Sequence, residues 1–337
     1  MTGLGPLTGG LPLRVDGVVT RNDRLVTAVA GVVETSGFPT APAAAFEKAT
    51  NKAFRPQREV PPVRWERATS PPVSAGGETM RGQQKPLCPY IDGREVAVNF
   101  VLWNGEILFC EVSDDFPSNA DSPGATSSDT FQETAFIHPS RLPPSEQDLL
   151  RQALLDHILH IGFRSGVFHI KARVRYSAMK YVEENSILYL QYNVTRDKQQ
   201  RPKPSIFLIK VNPRPPGYYG LTSLAWTYGV DYFALHVLHA LGDEARIRAL
   251  SEPFMCGPQY DDKFKEEHPD VMDNILLRRE PFAKGDFVPS PNAPTMPFLS
   301  VLILRSKNGR EGLLRSMAII QHNWLTHLND DCSVFLN

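Results

Sequence analysis

Two short stretches of this chain carry the side chains best suited to chemistry. They are FHIKARVRYS, residues 168–177, and FLIKVNPRPPG, residues 207–217. Apolar residues alternate there with basic or amide residues, which predicts β-strands whose every second side chain points to the same face. Lysine and arginine gathered on one face can bind phosphate, because each offers several hydrogen-bond donors and a full positive charge.

On the first strand, His169, Lys171 and Arg173 fall on one face. On the second, Lys210 and Asn212 share a face. If the two strands pair, the two groups converge, and the shared face then belongs in a cleft because five polar groups would be costly in a core. An exposed sheet face tolerates the same residues without any function, so the residues alone leave both interpretations open.

The composition limits the possible partners and compartments. Lysine and arginine number 36 against 37 aspartates and glutamates, so no excess of positive charge favours nucleic acid or a membrane surface as partner. No apolar run approaches the roughly 18 residues of a spanning helix, and MTGLGPLTGGLPLRVDG lacks the pattern of a signal peptide. The four cysteines show neither metal-ligand spacing nor a disulfide framework, so a cytoplasmic location is expected.

The elements that must position these residues are predicted to form a mixed α+β fold with a mainly antiparallel sheet. REVAVNFVLW and EILFCEVS flank the dipeptide Asn-Gly, a strong hairpin signal. Further strands are predicted near residues 166–175, 187–193 and 205–212 and in FLSVLILR. Helices are predicted in RNDRLVTAVAGVVETSG, FPTAPAAAFEKATNK, PPSEQDLLRQALLDHILHIG, GVDYFALHVLHALGD and REGLLRSMAIIQHNWLTHL.

Capping residues predict where two of these helices begin and end. Asn22 or Asp23 could cap the first helix. In PPSEQDLLRQALLDHILHIG, Ser145 and Asp148 have the spacing of a capping box, and Gly162 is the expected stop.

Three pairs of side chains are weaker candidates for function. Asp114 and Asp115 follow the hairpin and are interpreted as solvated loop residues. Two helices carry histidines three positions apart, a spacing that can hold a metal, and these are His157 with His160 and His236 with His239. Their apolar neighbours favour packed histidines instead.

Several motifs in a fixed order resemble the C-terminal half of the ATP-grasp enzymes. They are PYIDGREVAVNFVLWNGEILFCEVSDDFP, GFRSGVFHIKAR, FLIKVNPRPPG and TYGVDYFALHVLHALGD, and GFPTAPAAAFEKATNK is similar to the segment that closes the N-terminal domain of that family. Together they cover most of residues 17–243. The branch that they resemble contains the carboxylate–amine ligases related to carnosine synthase and the bacterial dipeptide ligases.

This resemblance implies an enzyme that joins a carboxylate to an amine. The cofactor ATP activates the carboxylate as an acyl phosphate, an amine displaces the phosphate, and Mg²⁺ assists the phosphoryl transfer. The partners implied are a small-molecule amino acid or carboxylate substrate and a second copy of the chain in a homodimer. Neither nucleic acid nor a membrane is implied.

The resemblance also divides the chain into four segments. Residues 1–53 would be a remnant of the N-terminal domain with a helix, and residues 54–85 a Pro/Arg-rich linker in place of the central lid. Residues 86–245 would form the ATP-grasp C-terminal core, and residues 246–337 a small C-terminal α/β subdomain.

Candidate site residues follow from the family pattern, which is His-x-Glu-Ala-Arg on one strand and Glu-x-Asn-x-Arg on the next. The catalytic candidates are His169, Arg173 and Arg214, with the two arginines holding phosphate oxygens. Asn212 is the candidate metal ligand, and Glu95 is the candidate ribose contact.

Lysine stands at both positions where the pattern has a metal-ligand glutamate, and these are Lys171 and Lys210. A protonated ammonium has donors but no acceptor, so it cannot bind a metal. Both lysines are instead candidates to contact the phosphates of ATP directly. With no acid near them in the sequence, the two ammonium groups are expected to repel each other when no ligand is bound.

Two further features depart from the family pattern. The adenine hinge resembles Glu-x-Tyr-x-x-Gly-x-Glu, and CPYIDGRE has Cys88 at the first acid but Glu95 at the last. Residues 54–85 are too short for the central lid and lack its strand pattern, and the glycines of SAGGET are only a weak candidate for a remnant of its glycine-rich phosphate loop. An exon missing from the lid would account for the short segment but not for the lysines.

Three functions therefore remain open from the sequence. The first is an ATP-dependent carboxylate–amine ligase, with ATP and metal binding impaired by these departures. The second is a non-catalytic ATP-grasp scaffold, a pseudoenzyme that binds a partner or a nucleotide weakly. The third is a variant in which the two lysines replace the metal.

Overall fold

The computed structural model describes residues 15–50, 92–121, 125, 131–193, 202–253, 274–279 and 301–332. The predicted linker at 54–85 and the hinge residue Cys88 lie outside these residues. The four predicted segments stay predictions. Among the described residues, no helix combines the length and the apolar character needed to cross a bilayer.

The described elements confirm the α+β prediction. The helices are α1 (Val26–Thr35), α2 (Ala43–Thr50), α3 (Pro144–Ile161), α4 (Tyr218–Tyr228), α5 (Tyr232–Leu241), α6 (Glu244–Leu250) and α7 (Gly309–Cys332). The strands are β1 (Arg94–Trp103), β2 (Glu106–Asp115), β3 (Phe136–Ile137), β4 (Gly166–Arg175), β5 (Met179–Glu184), β6 (Ile187–Tyr192), β7 (Ser205–Asn212), β8 (Ile275–Arg279) and β9 (Val301–Leu304).

The central sheet has five strands in the order β3-β2-β1-β4-β7, and every neighbouring pair is antiparallel. Two separate hairpins are formed by β5 with β6 and by β8 with β9. The position of β7 at the end of this order makes it an edge strand, whereas β4 is enclosed by β1 and β7.

The hairpin between β1 and β2 forms at the predicted Asn-Gly dipeptide. Asn104 has φ of 50° and Gly105 has φ of 85°. Positive φ at both central residues is the requirement of a type I′ turn, whose twist matches that of the flanking strands. This turn fixes the register of the pair, and with it the side chains that share a face.

The predicted capping box of α3 is wrong. The N-cap residue is Pro143, with no side-chain cap, and Pro144 begins the helix because it lacks an N–H to satisfy. Glu146 instead accepts hydrogen bonds from Ser177 Oγ and Ala178 N, both at 2.6 Å. The stop is confirmed, since Gly162 has a left-handed φ of 112°.

The cap of α1 also differs from the prediction. The N-cap residue is Leu25, with no side-chain cap. Asn22 Oδ1 accepts a hydrogen bond from Arg24 N at 3.0 Å and so closes the preceding turn. Asp23 points away from the helix, toward β7.

The two faces of the sheet differ in what covers them. One face buries Val96, Val98, Phe100 and Leu102 against α2 and α3, all four with 0% exposure. The other face is apolar only at one end, where Val101, Phe109 and Val167 pack against α4 and α5. Alternation along each strand then places polar residues on the remainder of that second face.

Asp114 ties the C-terminal helix to the sheet. It accepts hydrogen bonds from Ser140 Oγ at 2.5 Å and from Arg141 N at 2.9 Å. Arg310 Nη2, in the first turn of α7, lies 2.7 Å from its Oδ2 as a charge contact. The side chain is 1% exposed, so the interpretation of Asp114 as a solvated loop residue is wrong.

We expect Asp114→Asn to lower the free energy of unfolding by about 3–5 kcal/mol, because Arg310 is then left largely buried without its counter-charge. Urea denaturation at neutral pH would measure the loss. Asp156→Asn, on the exposed face of α3, is the matched control and should change stability by less than about 0.5 kcal/mol. Equal effects of the two variants would contradict the assigned role of Asp114.

Candidate functional site

The pairing of β4 with β7 brings the two predicted groups together. His169 lies opposite Asn212, and Lys171 lies opposite Lys210. Opposed residues of an antiparallel pair point to the same face, so the predicted convergence is present in the structure. A register shift follows Lys171, where one extra residue of β7 is left unpaired.

The side chain of Lys171 extends over the neighbouring strand β1 and contacts acids beyond it on the same face of the sheet. Its partner on β1 is Ala97, whose small side chain leaves room for the lysine to extend toward β2. Its Nζ lies 2.7 Å from Asp115 Oδ2 and 3.7 Å from Glu95 Oε1, and it forms an ion pair with Glu133. The side chain is 13% exposed, so the ammonium is neutralised by protein carboxylates rather than by solvent.

Arg173 continues the same cluster. Its Nε and Nη2 donate to Glu95 Oε2 at 2.9 and 2.8 Å, and Nη2 also donates to Asp121 Oδ1 at 2.6 Å. The side chain is 6% exposed. We call these residues the Lys171 cluster, which comprises Lys171, Arg173, Glu95, Asp115, Asp121 and Glu133.

Carboxylates outnumber cations in the Lys171 cluster by four to two. Burial raises the pKa of Asp115 to about 7 in spite of Lys171, and Glu95 and Glu133 add repulsion. Burial by itself would lower the pKa of Lys171, but Asp115 and Glu133 outweigh it and raise that pKa. Lys171 is therefore a charged ammonium, and the acids around it are held close by its charge.

A second group of charges, the Asp23 cluster, consists of Asp23, Lys210 and Arg214. Asp23 Oδ2 accepts from Lys210 Nζ at 3.0 Å, and Asp23 Oδ1 accepts from Arg214 Nε. Burial opposes ionisation, yet these hydrogen bonds and charges lower the pKa of Asp23 to about 2. The carboxylate of Asp23 thus bridges two cations, which lie on β7 and just after its end.

His169 is held as a neutral imidazole. Asn99 Nδ2 donates to Glu111, so Asn99 Oδ1 is the acceptor for His169 Nδ1–H at 2.8 Å. Burial, and then the charge of Lys171, lower the pKa of His169 to about 3. Asn212 Nδ2 donates to the backbone oxygen of His169 at 3.1 Å, which fixes the amide between the strands.

The donor set on β4 and β7 does not fit a magnesium ion. The positions of the two expected carboxylates present ammonium groups, which offer no lone pair. Asn212 contributes a single amide oxygen, whereas Mg²⁺ prefers an octahedron of oxygens that includes carboxylates. Within the described ranges, no group of three or more histidine, cysteine or acidic side chains is placed to hold a metal.

The sequence did not predict that acids lie beside the two lysines as their counter-charges. Asp115 is 3% exposed at the end of β2, so its interpretation as a solvated loop residue is wrong. The expected repulsion between the two ammonium groups is also wrong, since each has its own counter-charges. The alternation of Glu111, Ser113 and Asp115 along β2 was the available signal that a polar face continues beyond β4.

The pair His236 and His239 is packed against backbone oxygens, whereas in the other pair His157 is buried and His160 is exposed. His239 lies 2.8 Å from both the Leu235 and Leu102 oxygens, and His236 Nε2 lies 3.3 Å from the Thr20 oxygen. Both line a cavity of about 450 Å³ between α1, α2 and α5. That cavity is lined by none of the seven predicted site residues.

We expect Lys171→Met to destabilise the fold by about 3–5 kcal/mol at pH 8, because Asp115, Glu95 and Glu133 are then crowded without a cation. The loss should shrink toward pH 5. Burial raises the pKa of Asp115 and Lys171 opposes this effect, so this pKa is higher still in the variant. Asp115 of the variant therefore takes up its proton at a higher pH than in the wild type, and the extra cost of its charge in the folded state disappears as the pH falls below both folded-state pKa values.

Urea denaturation at several pH values would test this expectation. Lys48→Met, at an exposed position of α2, is the control and should show a small effect at every pH. A loss from Lys171→Met that is the same at pH 5 and pH 8 would contradict the role of Lys171 as the counter-charge.

Comparisons with known sequences agree with the resemblance. No protein-family model matches the chain. ATP-grasp enzyme fsqD of Aspergillus fumigatus is 33% identical over 364 residues, which cover 89% of this chain and 63% of the relative. Carnosine synthase 1 of Gallus gallus is 29% identical over 161 residues, 48% of this chain and 14% of the relative. The chain thus spans less than two thirds of the length of either relative.

Two solved structures share the fold. An L-amino acid ligase from Bacillus licheniformis superposes with a TM-score of 0.58 at 16% identity, covering 90% of this chain and 78% of that one. A phosphoribosylglycinamide synthetase from Anaerococcus prevotii gives 0.57 at 10% identity, covering 93% and 82%. With the order of its motifs, its antiparallel sheet and these structures, the chain has the ATP-grasp fold, and its sequence is similar to the carboxylate–amine ligase branch of that superfamily.

Proposed function

We propose that this protein is a carboxylate–amine ligase of the ATP-grasp class, in which magnesium-assisted binding of ATP is impaired. The observation that carries the proposal is the pair of opposed lysines, Lys171 and Lys210, at the two positions where the family pattern has metal-ligand glutamates. Ammonium groups at these two positions cannot supply the oxygen ligands that a magnesium ion needs.

The names of the relatives support the substrate class. One is an ATP-grasp enzyme, one a carnosine synthase and one an L-amino acid ligase. We infer that this chain takes a small-molecule amino acid or carboxylate, with ATP as the activating cofactor. A homodimer and a cytoplasmic location remain predictions.

The residues of the site have separate roles in this proposal. Arg214 and Lys210 hold phosphate oxygens at the edge strand. Neutral His169 donates its Nδ1–H to Asn99, which leaves Nε2 as a hydrogen-bond acceptor. Asn212 positions β4 against β7, and its oxygen is the one metal-ligand position that matches the family pattern. When bound, ATP would supply the phosphoryl group that activates the carboxylate.

Glu95 is committed to other partners in the structure. It binds Arg173 through two donors and lies within 3.7 Å of Lys171. A ribose contact by Glu95 would therefore compete with both cations. This competition is a second reason to propose weak nucleotide binding.

A non-catalytic scaffold is the alternative function. It is favoured by the Lys171 cluster, in which both cations already have protein carboxylates as partners. A buried ion network of this kind can stabilise a unique arrangement of strands without any ligand. In that case the nucleotide would bind weakly or not at all.

Isothermal titration with ATP distinguishes these functions. For the wild-type chain we expect Mg²⁺ to change the affinity for ATP by less than about fivefold, which is the lower end of usual coupling between two ligands. Binding that is tightened well beyond this by Mg²⁺ would contradict impaired metal assistance. No binding with or without Mg²⁺ would favour the scaffold.

The double variant Lys171→Glu/Lys210→Glu tests the assigned positions. It restores the family acids but also removes the ammonium that neutralises the Lys171 cluster, so we expect a less stable chain without metal. Where thermal melting shows it folded, it should be stabilised by Mg²⁺ alone and gain a dependence on Mg²⁺ of about fivefold or more in ATP affinity. The charge-matched control is Lys48→Glu/Lys307→Glu, which changes two exposed lysines. Equal responses of the two double variants to Mg²⁺ would count against the site.

A further inference from the structure

We propose that Lys210 and Arg214 form a metal-free binding site for phosphate groups, and that the Asp23 carboxylate occupies this site until a ligand displaces it. The inference deepens the proposed function, because it states which cations receive the phosphates and what competes with them. It rests on the contacts of the Asp23 cluster and needs neither a base nor a ribose.

Net charge separates the two clusters. The Lys171 cluster has four carboxylates for two cations, so an incoming phosphate would meet an excess of negative charge there. The Asp23 cluster has two cations for one carboxylate. On this face of the sheet, an anion is therefore attracted to the Asp23 cluster and repelled by its neighbour.

The contact geometry is that of a bidentate anion site. The two oxygens of Asp23 each take a different cation, with Lys210 Nζ at 3.0 Å from Oδ2 and Arg214 Nε on Oδ1. A phosphate presents oxygens at a similar spacing with more negative charge. Arginine and lysine are both established phosphate-binding groups, the first as a planar fork and the second as a point charge.

Exposure makes the Asp23 carboxylate displaceable. The side chains of Asp23 and Lys210 are 43% and 45% exposed, whereas Lys171 is 13% exposed. The half-exposed pair of Lys210 with Asp23 contributes about 0–1 kcal/mol. Arg214 is 16% exposed, and it exchanges one anion for another when a phosphate replaces the carboxylate. In the Lys171 cluster both cations are more enclosed, since Lys171 is 13% and Arg173 is 6% exposed.

The chain holds the turn that carries Asp23 in place from both sides. Thr20 O accepts from His236, and the Arg21 guanidinium lies 5.4 Å from the centre of the Phe233 ring. On the other side, α1 begins at Val26 and packs against α2. The segment that carries Asp23 is therefore anchored by contacts other than those to Lys210 and Arg214.

Titration calorimetry with inorganic pyrophosphate in EDTA would test the proposal. We expect Asp23→Asn, which keeps the size but removes the competing charge, to bind pyrophosphate about fivefold or more tightly than wild type. Lys210→Met should weaken binding by a similar factor, both alone and in the Asp23→Asn background. Asp148→Asn removes a carboxylate that is paired with Arg151 on α3, and it is the control with unchanged affinity.

A parallel titration with ADP distinguishes the two sources of phosphate. Tighter binding of ADP than of pyrophosphate assigns the site to a nucleotide, and equal binding assigns it to free phosphates; both support the site. Unchanged pyrophosphate affinity in Asp23→Asn, or in Lys210→Met, would overturn it, provided that thermal melting shows each variant folded. Because pyrophosphate lacks a base and a ribose, this result does not depend on whether ATP binds.

Discussion

A buried ammonium group is the constraint on which this site depends. Lys171 stands on an inner strand, where water reaches only a small part of its side chain. An isolated charge in that position would be very costly, and it is tolerated only when opposite charges enclose it. Asp115, Glu133 and Glu95 meet that requirement, and the small Ala97 gives the lysine its path across β1.

The need to neutralise Lys171 also connects the other polar groups on this face of the sheet. Glu95 lies near Lys171 and also forms an ion pair with Arg173, and Arg173 forms a second ion pair with Asp121. A second chain of hydrogen bonds, from Glu111 through Asn99 to His169, lies beside the cluster. Each of these groups is buried or half-buried and has a partner, so the face is a connected network in which removal of one charge affects several neighbours.

Sequence reasoning reached the strands and their faces but not the counter-charges. The Asn104-Gly105 turn and the alternation along β4 and β7 are local signals, and they correctly placed the two lysines together. Asp23 contacts Lys210 across 187 residues, a distance over which no local pattern predicts contact. Asp115 was missed because a strand end and a loop have the same polar composition, and only the fold decides which of them is buried.

Two of the elements that the sequence did not predict, α4 and β3, lack a local signal. Helix α4 reads YYGLTSLAWTY, where aromatic and β-branched residues and a glycine give little helical signal, so packing against the sheet decides its structure. Strand β3 has two residues, which is too short for any periodicity. The capping box of α3 failed because Pro144 is suited to the first helical position and moved the start of the helix ahead of Ser145.

The two lysines occupy equivalent positions in the family pattern, but one lies on an inner strand and the other on an edge strand. Lys171 lies between two strands, so its charge must be satisfied by protein groups, and it becomes part of the internal structure. Lys210 lies on the edge strand, where water screens its charge and a single carboxylate suffices. A lysine of the first kind cannot be released to a ligand without exposing its acids to one another. A lysine of the second kind can exchange one anion for another, which is why we place the proposed phosphate site at the edge of the sheet.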